Sequence, residues 1–346
     1  MRRFALFLIL LSLSLSACGP TTKPSDLAIN RTAQPAAQGS APSPDAPIAI
    51  DASTKLILPL ILRDRRVYPT PAPTGTAAPT STPAEEASLS FAVIGDYGSG
   101  NQDEADVAAL VSSWEPEFII TTGDNNYPLG EEGTIDAHVG QFYHTYIYPY
   151  TGDYGEGADQ NRFFPSLGNH DWYTAGAQPY LDYFTLPGNE HYYDFTWGPV
   201  HFFALNSDWN EPDGIRSDSQ QAAWLQEKLA QSTSPWRIVY FHVAPYSSGM
   251  HGGTDVMQWP FKEWGADAVL TGHDHTYERL LIDGLPYFVN GVGGGAIYQF
   301  EDIVEGSQVR YNENYGAMLV EATQSSMTFN FISVKGEVID AYTIEK

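Results

Sequence analysis

One cysteine, Cys18, serves the whole 346-residue chain. Intramolecular disulfides and thiolate metal sites are thereby excluded. Basic residues are scarce as well, 17 Lys+Arg against 42 Asp+Glu. Nucleic acid is therefore excluded as a partner class, because phosphate backbones demand a basic surface. No internal repeat or heptad pattern occurs, and the apolar runs are too short to read as membrane spans.

What is present divides into three parts. Residues 1–18, MRRFALFLILLSLSLSAC, have two arginines before a short apolar run, the pattern of a secretory signal. The run ends in Leu15-Ser16-Ala17-Cys18, which resembles the bacterial lipobox. Export to the outer face of a bacterial envelope is expected, with a lipid anchor at Cys18 as the only membrane contact. Residues 19–87 hold 12 of the 24 prolines and one aromatic, Tyr68. So little apolar surface cannot offset ordering entropy, so the segment is expected to be a disordered Pro/Thr/Ala-rich tether about 45 Å in mean span. KLILPLILRDRR (55–66) departs from that composition and reads either as a strand that docks on the domain, the favoured reading because Pro59 breaks a helix, or as a patch that rests on the membrane surface.

Residues 88–346 carry 43 of the 46 aromatics, enough for one large core, and a formal charge of −27 from 9 Lys+Arg and 36 Asp+Glu. Here short β-type apolar runs each end in a polar cluster. SLSFAVI (88–94) leads to Gly95-Asp96-Tyr97-Gly98, and EFIITT (117–122) to Gly123-Asp124-Asn125-Asn126-Tyr127. FFPSL (163–167) leads to Gly168-Asn169-His170-Asp171, RIVYF (237–241) to His242, and DAVLT (267–271) to Gly272-His273-Asp274-His275. Helical spacing appears over 103–114 and over 217–231. Strand and helix in alternation predict an α/β domain with its site at the carboxyl ends of the strands.

All five ends offer metal-capable side chains. Carboxylate oxygens mixed with imidazole nitrogens suit iron, zinc or manganese. Seven donors are too many for one ion and suit two, an arrangement that clamps a phosphate ester for in-line attack. Taken singly, Asp96 reads as a turn cap, Asn169 as a turn residue and His242 as a core histidine. Together and in this order they read as a site. The glycines at 95, 123, 168 and 272 are expected to let the chain turn sharply.

GDYG, GDNNY, GNHD, VYFH and GHDH resemble the motifs of the calcineurin-like metallophosphoesterases, and more narrowly those of the purple acid phosphatases. The resemblance runs from about residue 90 to the end and implies a four-layer α/β/β/α metallophosphoesterase sandwich. The wider superfamily has Asp-x-His in its first motif, whereas this chain has Asp96-Tyr97-Gly98. In purple acid phosphatases a tyrosine three residues after the bridging aspartate takes that place, and Tyr127 stands there. Phenolate is a hard anion of high proton affinity (free pKa about 10), so it implies Fe(III).

By this resemblance Asp96, Tyr127 and His275 would hold Fe(III). Asn169, His242 and His273 would hold a divalent ion (Fe, Zn or Mn), and Asp124 would bridge. His170 and His251 would be catalytic, stabilising phosphate oxygens or protonating the leaving group, with His251 at the spacing of the small mammalian-type enzymes. His138, His144, His191 and His201 are assigned to surface or packing. Asp171 is a candidate to orient His170.

The implied activity is hydrolysis of phosphate monoesters by a metal-bound hydroxide, with small organic phosphates as substrates. Two alternatives stay open, a diesterase or pyrophosphatase on the same centre, and a non-catalytic cell-surface binding module.

Overall fold

The computed structural model describes residues 88–346. The expected signal, Cys18 anchor, tether and docking strand 55–66 lie outside the described residues.

The strands in chain order are β1 (Leu89–Ile94), β2 (Phe118–Thr121), β3 (Phe163–Pro165), β4 (Tyr193–Trp197) and β5 (Val200–Ala204). Next come β6 (Trp236–Val243), β7 (Ala268–Gly272), β8 (Tyr277–Ile282) and β9 (Leu285–Asn290). The last four are β10 (Ser307–Tyr311), β11 (Gly316–Ala322), β12 (Ser326–Ser333) and β13 (Val338–Glu345). One sheet has the order β13-β12-β11-β1-β2-β3 and the other β10-β8-β9-β7-β6-β5-β4. Each contains a parallel block, β1-β2-β3 in the first and β5-β6-β7-β9 in the second. Antiparallel strands complete both.

The two sheets pack face to face through aromatic side chains. Phe91 stacks on Phe118 with centroids 5.2 Å apart, and Phe202 of the second sheet meets both edge-on at 5.0 and 5.3 Å. Polar ties cross the same seam: Asn290 Nδ2 donates to the Val93 carbonyl at 2.9 Å, and the Tyr240 hydroxyl donates to that of Phe164 at 3.2 Å.

Helix α1 (Gln102–Ser113) buries Val107, Ala108 and Val111, and its N-cap Asn101 accepts from the Glu104 amide. Helix α2 (Gln220–Gln231) buries Ala222, Leu225 and Leu229 against Phe203, Val239 and Val269 of the second sheet. Its cap is Ser219, so the helix starts three residues later than its sequence suggested. The result is the four-layer α/β/β/α sandwich, whose parallel strands all point their carboxyl ends to one edge. Among the described residues no helix is long and apolar enough to cross a membrane.

Candidate metal centre

Asp96, Asp124 and Asn169 follow β1, β2 and β3, and His273 and His275 follow β7. His242 differs from expectation, lying inside β6 one residue before its end, because the strand continues to Val243. Asp96, Asp124 and His273 adopt left-handed backbone, with φ of 53°, 54° and 70°. That conformation is costly for residues with a Cβ and clusters at functional sites. So three of the sharp turns are made by the functional residues themselves. Gly123 shares the turn before Asp124 with a φ of 94°, as expected, while Gly168 and Gly272 matter for closeness. A Cβ on Gly168 would lie 2.2 Å from Asp124 Oδ1, and one on Gly272 would lie 2.4 Å from Asp96 Oδ2.

The donors fall into two groups. In the first, the Tyr127 hydroxyl is 3.0 Å from His275 Nε2 and 3.3 Å from Asp96 Oδ1, and His275 Nε2 is 3.3 Å from Asp96 Oδ1. In the second, His242 Nε2 is 3.0 Å from Asn169 Oδ1 and 3.1 Å from His273 Nδ1. Asp124 joins them, with Oδ2 3.4 Å from His242 Nε2 and a carboxylate oxygen within 4.8 Å of donors from Asp96 and His275. Such spacings are those of ligand atoms about 2.1 Å from a shared ion.

Hydrogen bonding behind the rings shows why a cation fits. His242 Nδ1 donates to the Thr122 carbonyl at 2.8 Å, and His275 Nδ1 to that of Ala296 at 2.7 Å. Each ring is thereby set to present Nε2 as a lone pair. The His242 lone pair then faces Asn169 and Asp124 oxygens and a second imidazole, an arrangement that calls for positive charge. The protonation equilibria agree. Burial opposes charge on His242, yet Asp124 and Asp96 outweigh it and push its pKa up to about 10. Burial and the neighbouring His242 push His273 down to about 3. Burial works against ionised Asp124, but His242 and His170 hold it below the usual carboxylate range. Tyr127 is raised well above 10 by burial and by Asp124 and Asp96, so only a strongly acidic ion would hold it as phenolate.

The place an Asp-x-His histidine would need is filled. A Cβ on Gly98 would fall 1.8 Å from the Asn125 carbonyl oxygen and 2.6 Å from the Asn126 nitrogen. The backbone that leads to Tyr127 occupies that room, and the Tyr127 N–H donates to the Gly98 carbonyl at 2.6 Å.

His170 lies beside this group, its ring 4.5 Å from that of Tyr127 and its Nε2 3.9 Å from Asp124 Oδ2. Asp171 does not orient it. The Asp171 carboxylate accepts instead from Asn125 Nδ2 and the Gly168 N–H, both at 2.8 Å. Burial and the Asp124 charge push Asp171 up to about 7. His170 is oriented by the Pro128 carbonyl, 2.6 Å from its Nδ1. His251 lies on the other side, its exposed ring stacked on that of His273 with centroids 4.4 Å apart.

The remaining histidines stay outside both groups. His144 contacts the Gly140 carbonyl, His191 pairs with Glu211 and His201 with Asp194, and the His138 ring lies against Gly100. GVGGG (291–295) runs beneath the centre, where a Cβ on Gly291 would be 2.8 Å from Asp96 Oδ2. Sequence reasoning missed Tyr298, whose ring stacks on His275 at 4.1 Å and 8°. It also missed Asn125, which accepts from the Tyr97 and Thr121 hydroxyls and donates to Asp171. Tyr298 is marked only by its position three residues after GVGGG, and Asn125 stands inside GDNNY, where Asp124 and Tyr127 carry the ligand reading.

A family model described as calcineurin-like phosphoesterase matches residues 89–277. Purple acid phosphatase 3 of Arabidopsis thaliana is 24% identical over 301 residues, covering 73% of this chain and 77% of that protein. Purple acid phosphatase 17 of the same plant is 25% identical, covering 75% and 86%. Among solved structures, purple acid phosphatase PPD1 from yellow lupin superposes with a TM-score of 0.61 at 17% identity. That match covers 76% of this chain and 55% of the lupin chain. GAP50, described as the anchor in the inner membrane complex of Plasmodium, superposes at 0.58 with 19% identity, over 75% of this chain and 89% of its own. These two likenesses establish the fold.

Proposed function

This chain belongs to the calcineurin-like phosphoesterase family and has purple acid phosphatases among its homologues, and from that premise we propose that it hydrolyses phosphate monoesters of small organic molecules. The observation that carries this reading is the Tyr127 hydroxyl within 3.3 Å of Asp96 and His275, with Asn125 backbone in the room of the missing histidine.

Asp96, Tyr127 and His275 hold a trivalent iron in this reading. Asn169, His242 and His273 hold a divalent iron, zinc or manganese, and Asp124 serves both. When bound, such a pair supplies Lewis acidity toward phosphoryl oxygens and acidifies water. The chain's own residues do the rest. Tyr127 and the two aspartates bring three anionic oxygens that favour the higher-valent ion. The Thr122 and Ala296 carbonyls fix the tautomers of His242 and His275. The Pro128 carbonyl holds His170 so that Nε2 faces the substrate side, where it binds a phosphate oxygen or moves a proton. His251 is the second group placed for proton transfer.

Phosphate recognition falls to these histidines, Asn169 and the ions. Among the described residues no lysine or arginine is hydrogen-bonded or ion-paired to any of the nine side chains. A pyrophosphate or polyanionic leaving group would lack a counter-charge there and meet a domain of net −27. That favours monoesters with uncharged leaving groups over pyrophosphates. On the reading of residues 1–18, the enzyme works outside the cell, anchored through Cys18. Labelling with radioactive palmitate in a bacterial host, lost in Cys18→Ser, tests that placement.

The central test is metal analysis and a visible spectrum of wild type and Tyr127→Phe, with monoester and diester turnover in parallel. Iron with a broad visible band that disappears in the variant, and monoester turnover exceeding diester turnover, are expected. Two divalent ions with no band, or dominant diester cleavage, would sink the proposal.

A further inference from the structure

Two buried carboxylates grip the segment that presents His251. After β6 the chain runs through Pro245, Tyr246, Ser247, Ser248, Gly249 and Met250 to His251. Asp274 stands between the two histidines of GHDH. Its Oδ2 accepts from the Ser247 hydroxyl, and its Oδ1 from the His251 backbone N–H at 2.7 Å. Glu278 of β8 accepts from Ser248 twice, from the N–H at 2.7 Å and from the hydroxyl at 2.6 Å. Ser247 in turn accepts from the Gly249 N–H at 3.0 Å. Gly249 packs so closely that a Cβ there would lie 2.4 Å from Asp274 Cγ. Asp274 and Glu278 are both fully buried. A buried carboxylate is tolerated only where its oxygens find donors, and here one short segment supplies most of them.

We propose that Asp274 and Glu278 are positioning residues for proton transfer: they clamp residues 247–251 and so hold the His251 ring against His273. The inference rests on the phosphatase reading and on His251 as a proton donor to the leaving group. A donor must sit within hydrogen-bond reach of the departing oxygen, and small displacements cost rate steeply. The clamp supplies that accuracy from the metal-binding turn itself. Asp274 is covalently fixed between His273 and His275, so any shift of the turn moves the metal ligands and the proton donor together.

The test uses full-length, metal-loaded protein and two probes. Glycerol 2-phosphate releases an alkoxide that needs a proton, whereas para-nitrophenyl phosphate releases a phenolate that does not. Ser247→Ala, Gly249→Ala and Asp274→Asn are compared with His251→Ala and His273→Ala. The clamp variants should lose about 10- to 100-fold in kcat on glycerol 2-phosphate, a fraction of the roughly 10²- to 10⁴-fold that a positioned acid contributes, because His251 itself is still present. Their loss on para-nitrophenyl phosphate should be several-fold smaller, with metal content retained, as in His251→Ala. Adding Ser247→Ala to His251→Ala should then lower the rate no further, because both remove one function.

Equal losses on both esters together with lost metal, as expected of His273→Ala, would overturn the proposal. So would full additivity with His251→Ala. A second readout is independent of turnover. Amide hydrogen exchange at residues 248–251 should accelerate in Asp274→Asn, and unchanged exchange would refute the clamp. Wild type inactive on both esters would instead defeat the phosphatase reading, while exchange would still decide whether the clamp exists.

Discussion

A Cβ on Gly98 would lie 1.8 Å from the carbonyl oxygen of Asn125, so the first motif has no room for a side chain at the position where an Asp-x-His histidine would stand. The same stretch of backbone delivers the Tyr127 hydroxyl to within 3.0 Å of His275, and in the proposed reading that hydroxyl takes the missing donor's part. The two features are one local solution.

Gly98→Ala should therefore cost about 3 kcal/mol through overpacking, read as a lowered urea midpoint with unchanged slope. Gly98→His combined with Tyr127→Phe should fail to restore iron binding, although it recreates the common motif. Metal analysis of the double variant checks this.

Arg279 and Asp340 tie β8 to β13, with Arg279 Nε 2.6 Å from Asp340 Oδ2 and the Tyr277 hydroxyl donating to the same oxygen at 2.8 Å. Asp340→Ala leaves a largely buried guanidinium unpaired and should destabilise by about 3–5 kcal/mol. Arg279→Met with Asp340→Leu should cost much less than the single change. Chemical denaturation of the two variants decides it.

Glu104 gives a pH signature away from the metals. Its Oε2 accepts from the Gly100 N–H at 2.7 Å and the Ser99 N–H at 3.0 Å, while Oε1 has no partner. Burial raises its pKa well above the usual range despite those two bonds. A carboxyl whose folded pKa is raised contributes fully below its unfolded pKa of about 4.3 and loses that contribution as pH rises toward the folded value. Glu104→Gln should thus match wild type near pH 4 and become the more stable of the two by pH 7. Thermal midpoints across that range give the comparison, and a gap that shrinks with rising pH would contradict it.

Chelation should lower the thermal midpoint, and the midpoint should climb again with added metal. A ligand at a hundredfold excess over its dissociation constant adds about 2.7 kcal/mol. In Asp124→Asn that dependence should flatten, as read by calorimetry at several metal concentrations.

Much of the centre was legible because its residues follow strands whose apolar runs are local signals. Asp96, Asp124, Asn169 and His273 announce themselves by the strand before them. The expected strand before His242 stopped at 241, two residues short of Val243, since nothing local marks where β6 ends. The start of α2 differs for a related reason: the segment opens on Ser217, yet the side chain that caps the helix is that of Ser219. The partner of His170 was illegible: the Pro128 carbonyl has no side-chain identity, and a motif reading weighs side chains. Tyr298 and Asn125 depend on how distant loops fold back, and the strands β10–β13 that complete both sheets carry no chemistry to flag them.

The donors come from both sheets, with Asp96, Asp124, Tyr127 and Asn169 on one and His242, His273 and His275 on the other. Their separation is therefore gauged by the thickness of the aromatic layer between the sheets. Phe91, Phe118 and Phe202 act as shims for a centre they never touch. Each donor group draws on both sheets, so one methylene more or less in that core would change the distances inside each group while every donor keeps its place in the sequence.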